Sequence, residues 1–294
     1  MRQGILVMGA LLFSCGWLGG CGRKQLPEPA DTHARYTLGP AWQSGGYWFY
    51  PAEEVSYHAT GLAIVDPLRR VANDRTADGE RYDPASLAAA HQTLQLPVIV
   101  RVRNLENGRR ILLRVNDRGP ASPGRLLSIT PHAARLLGMV PGRATRVEVT
   151  EDAMLSRGLL LQVEGAPIAD IAAAPVSIVQ EQSLAPAGDT HMAVGVASSS
   201  PEPLAPGLPG PPSEIVETGA ADPGRLWIDA GHFSQPVYAR RLAAQLAGMV
   251  REEGSGRSAV FSVRVGPFNL PDEADAALDQ ARSAGVTGAR IIVE

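Results

Sequence analysis

The sequence predicts a mainly β domain and a smaller α+β domain joined by a disordered linker. Three observations predict this. Between residues 58 and 164, short apolar runs alternate with Gly, Pro, Asn and Asp turn residues, and one short helical stretch interrupts them. Residues 165–224 hold ten prolines and seven acids but no aromatic residue and no Lys or Arg. Such a segment lacks the apolar area to offset the entropy of ordering. From residue 225 a strand ending in Gly-x-Phe, followed by a helix, occurs twice, with Gly231 and Gly266 35 residues apart.

Composition supports this division. Aromatics are 5% of 294 residues, with 24 prolines and 31 glycines, which favours modest domains and flexible connections over one large core. The net charge of -3 gives no global pull towards nucleic acid. Charge is uneven, however. Residues 96–146 carry ten arginines against Glu106 and Asp117, a local +8. Two readings are open: a solvated strand face, or a groove for an anionic polymer.

Met1-Arg-Gln-Gly4 opens the chain with a positive charge, and Ile5 to Leu18 is then a nearly unbroken apolar run of 14 residues. That is too short to cross a bilayer and fits a signal-peptide core. Leu18-Gly-Gly-Cys21 looks like a lipobox, so residues 1–21 are expected to be a lipoprotein signal ending at a lipidated Cys21. Only Cys15 and Cys21 exist, which leaves the mature chain without a disulfide or a thiol nucleophile. Acyl chains would anchor it without a transmembrane helix. Gly22, where an Asp would favour inner-membrane retention, leans towards the outer membrane.

Residues 22–57 read as a tether and an aromatic lead-in. Tyr47-Trp-Phe-Tyr-Pro51 is either a sugar-stacking platform or a lead-in packed on the next domain. Within residues 58–164, Val98 to Arg103, Ile111 to Val115 and Arg146 to Val149 read as strands. Pro131 to Gly138 reads as a short helix, with Thr130 as N-cap, Pro131 at the first position and Gly138 closing it. Leu159 to Val163 reads as a last strand. No metal-spaced His or Cys cluster and no phosphate loop occurs, so no metal or cofactor is expected.

The chemistry centres on Ile111-Leu-Leu-Arg-Val-Asn-Asp-Arg-Gly-Pro120. An apolar strand stops in a turn that presents Asp117 between Asn116 and Arg118, and Gly119-Pro120 bars continuation. Upstream lie Thr76-Ala-Asp-Gly-Glu-Arg-Tyr-Asp83, an acidic turn with Glu80, and Ser86 to Leu94, a helical or strand-entry piece carrying His91. In the C-terminal domain, Leu226 to Phe233 is a strand and turn, followed by a helix bearing Leu242, Leu246, Met249 and Val250. Phe261 to Phe268 repeats the strand. Pro271 opens a second helix, and Arg290 to Val293 closes the chain as a strand.

Residues 75–83, 87–97, 100–109 and 114–120 stand in one order at close spacing. Together they resemble the RlpA family, rare-lipoprotein-A-like endolytic peptidoglycan transglycosylases. The C-terminal repeat resembles a SPOR domain, residues 225–294. The resemblance implies a double-psi β-barrel at 58–164 and a ferredoxin-like α+β fold at the C-terminus. It implies Asp117 as general acid/base, with Glu80 and His91 beside it as catalytic residues, and Arg118, Asn116, Tyr82 and Asp83 as substrate-binding residues. Trp227, Phe233 and Phe268 would bind glycan. Peptidoglycan strands stripped of stem peptides are the implied partner, with the membrane through the lipid anchor and division-septum proteins as further partners, and no nucleic acid. The linker would let the C-terminal domain bind far from the cut.

The chain also departs from the family. Gly61-Leu-Ala63 is followed by Ile64-Val-Asp-Pro67 where relatives carry Ser-Trp-Tyr-Gly. Leu127-Ser-Ile-Thr130 stands where relatives carry Ile-Asp-Leu-Ser, which puts Ser128 in place of an acid. Asp229 replaces the usual Gln of the SPOR first strand. A non-catalytic glycan-binding septal lipoprotein is the rival reading.

Overall fold

The apolar runs of the N-terminal half close into a barrel because each pairs with a strand far away in sequence. The computed structural model describes residues 33–67, 74–167, 212, 214–256 and 259–294. The expected signal segment, Cys21 and most of the expected linker lie outside the described residues. A hairpin of β1 (Trp42–Ser44) and β2 (Tyr47–Phe49) precedes the barrel strands: β3 (His58–Val65), β4 (Ala88–His91), β5 (Val98–Asn104), β6 (Arg109–Arg118) and β7 (Leu127–Ile129). Then come α1 (Pro131–Leu136), β8 (Thr145–Glu151) and α2 (Ala153–Leu160). The order β4-β7-β3-β8-β5-β6 is closed by a β4–β6 pairing into a six-stranded barrel. The β3–β7 and β4–β6 pairs are parallel and the others antiparallel.

Strand alternation sorts the side chains. Val98, Val100 and Val102 of β5 and Ile111, Leu113 and Val115 of β6 point inward and are at most 2% exposed. The intervening arginines point outward and meet carboxylates. Arg101 pairs with Asp152 at 3.2 Å, Arg103 with Glu148 at 3.4 Å and Arg110 with Glu217 at 3.7 Å. The arginine surplus of this stretch is thus spread over ion pairs on a strand face. In the lead-in, Trp42 stacks on buried Phe49 with ring centroids 4.5 Å apart, while Trp48 and Tyr50 face outward. Packing holds half of the aromatic group, and solvent takes the other half.

Three local expectations are corrected. β6 runs on through Asn116, Asp117 and Arg118, because Ala90 and His91 of β4 pair with Asp117 and Arg118. Residues 159–160 belong to helix α2, capped by Asp152, whose Oδ1 accepts the Leu155 N–H at 3.1 Å. Thr130 sits at the N-cap of α1, but its hydroxyl donates to the Ser86 carbonyl at 2.6 Å instead of capping.

Past residue 211, β9 (Glu217–Thr218) adds to β6 at Arg109 and Arg110. The C-terminal domain then runs β10 (Leu226–Phe233), α3 (Pro236–Leu246), β11 (Met249–Glu253), β12 (Val260–Phe268), α4 (Pro271–Ser283) and β13 (Arg290–Val293). Its antiparallel sheet has the order β11-β12-β10-β13. Ala239, Ala243, Leu246, Ala274, Leu278 and Ala281 of the helices pack on Leu226, Ile228, Val263 and Ile291. Met249 and Val250, expected on the first helix, are strand residues. The helix ends at Ala247 in the left-handed conformation (φ 51°), and Gly248 turns the chain back.

This domain lies against the barrel. The Thr60 hydroxyl donates to the Val293 carbonyl at 2.8 Å and accepts the Val293 N–H at 3.0 Å. Arg125 grips Asp275 with both Nη atoms, at 2.6 and 2.7 Å. Leu62 of β3 is fully buried in the cluster that holds Ile291 and Leu278. Gly61 eases this approach, since a Cβ there would crowd Leu126 Cβ at 3.1 Å and the Ile291 carbonyl oxygen at 3.3 Å.

Candidate active site

The end of β6 carries Asn116 and Asp117 into a wall of the barrel, where both are buried. Asp117 Oδ1 accepts the Ala77 N–H at 2.9 Å and the Arg118 N–H at 2.8 Å. Two backbone donors fix the carboxyl's orientation, so the rest of the group is aimed by the main chain. The Arg118 guanidinium turns away and donates to the carbonyls of Leu94 at 2.5 Å and Leu38 at 2.7 Å. Burial pushes its pKa down to about 10, with Asp117 opposing, so it remains a cation at any physiological pH.

The acidic turn supplies the second layer. Glu80 Oε2 accepts from Asn116 Nδ2 at 2.7 Å, and Oε1 lies 2.8 Å from Arg114 Nη2. Asp78, two residues earlier, is 1% exposed. Its Oδ1 accepts from the Thr76 hydroxyl at 2.7 Å and the Glu80 N–H at 3.2 Å. Its Oδ2 has no hydrogen-bond partner and stands 3.8 Å from Arg114 Nη2. Burial, and then the Glu80 charge, push its pKa from 3.8 up to about 6. Hydrogen bonds tie this turn directly to the end of β6, from the Ala77 N–H to Asp117 and from the Asp78 N–H to the Asn116 carbonyl at 3.2 Å.

His91 is engaged on both ring nitrogens. Nδ1 accepts the N–H groups of Thr93 and Leu94, both at 3.1 Å, which assigns the proton to Nε2 and makes it the donor to Tyr57 Oη at 2.9 Å. The two rings meet edge to face. Burial foremost, and then Arg118, push its pKa down to about 3, so the imidazole is neutral. His91 shapes the turn after β4, and its partners are backbone and a phenol, not a carboxylate.

A narrow cleft of about 10 Å³ is lined by Asp117, Asn116, Tyr82, Asp83, Asp66 and Ser128, among others. It has room for one water molecule, too little for a sugar ring. Tyr82 is buried against it, and Asp83 spends Oδ1 on the Ala85 N–H at 2.8 Å. His91 opens elsewhere, onto a groove of about 690 Å³ that it shares with Tyr57, Arg290 and Asp229. The structure thus gathers Asp117, Asn116, Glu80, Tyr82 and Asp83 and sets His91 on a neighbouring face.

The proposed sugar-binding aromatics of the C-terminal domain divide as well. Phe233 and Phe268 pack against the helix-covered core, while Trp227 alternates with buried Leu226 and Ile228 onto the opposite face. The same face holds Asp229, 3% exposed, with Arg264 at 3.0 Å and Arg290 at 3.1 Å. Sequence reasoning missed Asp78, Arg114 and Asp66. The first stands inside the Thr-Ala-Asp-Gly-Glu turn and could have been found there. Asp66 stood in sequence only within a departure from the family pattern, read as a loss.

Among the described residues there is no cluster suited to a metal ion and no helix long and apolar enough to cross a membrane. Residues 69–150 match the family model described as lytic transglycolase (DPBB_1), and residues 222–291 match the SPOR domain. The closed six-stranded barrel is of the double-psi type that this match describes. The endolytic peptidoglycan transglycosylase RlpA of Pseudomonas aeruginosa (strain UCBPP-PA14) is 30% identical over 254 residues, covering 82% of this chain and 72% of that protein. The RlpA of Yersinia pestis is 34% identical over 155 residues, 45% of this chain and 43% of that one. A probable RlpA of Nostoc sp. is 43% identical over 74 residues, 25% and 20%.

Proposed function

Because the chain belongs to the RlpA family of endolytic peptidoglycan transglycosylases, we propose that it cleaves the bond between N-acetylmuramic acid and N-acetylglucosamine in peptidoglycan and leaves 1,6-anhydro ends. The observation that carries this reading is the Asp117 carboxyl, held by the Ala77 and Arg118 N–H groups where it lines a narrow cleft. Asp117 gives its proton to the glycosidic oxygen as the C1–O bond breaks. The C6 hydroxyl of the same muramoyl residue then closes on C1 and returns its proton to Asp117. Proton count is restored and no water enters, so one carboxyl suffices where hydrolases use two. The nucleophile is already part of the substrate, which supplies much of the rate.

Glu80 acts through Asn116 and Arg114. It holds the residue before Asp117 in place and contributes negative charge near the developing oxocarbenium ion. His91 is a neutral strut for the turn after β4. Asn116, Arg118, Tyr82 and Asp83 form the rest of the wall, with Arg118 supporting it through backbone carbonyls. In the SPOR domain, Trp227 on the open sheet face is the stacking residue for naked glycan, and Phe233 and Phe268 support the fold beneath it. Residues 1–21 direct export, and Cys21 carries the lipid that anchors the chain in the outer membrane, facing the periplasm. The SPOR domain concentrates it at the septum, among division-septum proteins.

The test is a digest of amidase-stripped peptidoglycan by the detergent-solubilised full chain, read by mass spectrometry beside Asp117→Asn. Anhydro-muramic ends from the wild type and none from the variant are expected. Strands that co-sediment with the protein yet stay intact would leave a non-catalytic glycan-binding lipoprotein.

A further inference from the structure

We propose that Asp66 is a second substrate-contacting carboxylate of this site, set in place by Ser128. The inference rests on the transglycosylase reading and extends it to a residue 51 positions before Asp117 in the chain. Strands β3 and β7 run parallel, with Ile64 beside Ser128 and Val65 beside Ile129. Asp66 follows at the end of β3, where its N–H donates to the Ile129 carbonyl at 2.7 Å. The next residue is Pro67, which holds Asp66 in extended backbone. Its main chain is therefore fixed on both sides. The side chain is fixed as well, since the buried Ser128 hydroxyl donates to Oδ1 at 3.2 Å.

Asp66 and Asp117 line the same cleft, on different strands of the barrel. A cleft that holds about one water admits no sugar ring, so the substrate meets the lining carboxyl groups, Asp66 and Asp117 alike, from outside. There Asp66 offers an acceptor to a saccharide's hydroxyl or acetamido N–H, and hydrogen bonds to charged acceptors are the stronger kind. Ser128 has a single hydroxyl proton, and donating it to Asp66 orients the carboxylate before substrate arrives. In this arrangement Asp66 grips the sugar while Asp117 carries out proton transfer.

Asp66→Asn separates this role from a structural one, because the amide oxygen still accepts the Ser128 hydroxyl while the charge is gone. Initial rates on soluble naked glycan strands are measured for the full-length wild type, Asp66→Asn and Ser128→Ala. The expected result for Asp66→Asn is a drop in kcat/KM of about ten- to a hundred-fold, the size of one lost charged hydrogen bond, carried mainly by KM, with the melting temperature unchanged. Ser128→Ala shows a smaller shift of the same kind. Wild-type activity with Asp66→Asn at the wild-type kcat/KM overturns the proposal and leaves the transglycosylase reading intact. A drop in Asp66→Asn that follows a fall in melting temperature also overturns it. An inactive wild type overturns the reading on which the proposal rests.

Discussion

The barrel and the C-terminal domain each bury a carboxylate, and the two are balanced differently. In the barrel, Asp78 and Glu80 share one guanidinium, Arg114. In the C-terminal domain, Asp229 is served by two guanidinium groups, Arg264 and Arg290, and Arg264 also reaches Glu294 at 3.4 Å and Glu253 at 3.7 Å. Surplus acid leaves a proton to be kept, and Asp78 keeps one up to about pH 6. In the second cluster each carboxylate meets a guanidinium, and Arg290 presents cation at the surface, where it is 64% exposed. One fold thus holds a site suited to proton chemistry and a site suited to static recognition.

The largest expected effect attacks the first half of that contrast. Asp117→Asn lowers the rate of anhydro-end formation by about 10²–10⁴-fold, the range for loss of a general acid, while binding to naked glycan measured by co-sedimentation is unchanged. Asp229→Ala attacks the second half. It removes the 3.0 Å partner of buried Arg264, which keeps Glu294 at 3.4 Å and Glu253 at 3.7 Å, and is expected to cost about 2 kcal/mol in urea unfolding, below the full cost of an unpaired buried charge. Activity lost in Asp229→Ala without loss of stability would mean that the two clusters are not independent.

Two opposed pH responses sharpen the comparison within the barrel. His91 titrates near 6.5 when unfolded and near 3 when folded, so the unfolded chain binds the extra proton between those values. His91 therefore stabilises the fold above pH 6.5, and that stability is lost as pH falls through the window, by about 1.4 kcal/mol per unit at most. Asp78 acts the other way. Its folded pKa of about 6 lies above its unfolded 3.8, so the folded chain binds the extra proton and stability falls as pH rises from 3.8 to 6. Thermal melts from pH 4 to 8 should show Asp78→Asn without that fall and with the His91 slope exposed. Identical curves for wild type and Asp78→Asn would remove the surplus-acid account. The smallest effect is at the junction. Arg125→Ala should cost about 1 kcal/mol, as for a partly exposed bidentate pair.

Much of this was legible in the sequence because it is local. Ile111, Leu113 and Val115 alternate, so their strand could be read, and Thr-Ala-Asp-Gly-Glu and Asn-Asp-Arg-Gly-Pro are turns with their own chemistry. What was not legible depends on partners far along the chain. β6 continues through Asp117 only because Ala90 pairs there. Helix α3 stops at Ala247 in a left-handed conformation that glycine would have announced and alanine does not. The Ser128–Asp66 contact joins two departures from the family pattern 62 residues apart, each of which read by itself as a loss. His91 sits in a motif with the acids, yet its ring turns to Tyr57, which no spacing reveals.

The contacts of Thr60 with Val293, of Arg125 with Asp275 and of Leu62 with Ile291 turn an expected leash into a calliper. The distance from the C-terminal sheet to Asp117 becomes a dimension of the fold, independent of the length of residues 168–211. Under the proposed function, a glycan strand held by the C-terminal domain would meet the carboxyl at a distance set by the seating of β13 on β3. Lengthening the connection would leave that distance where it is, whereas a side chain at Gly61, its Cβ 3.3 Å from the Ile291 carbonyl oxygen, would press on it.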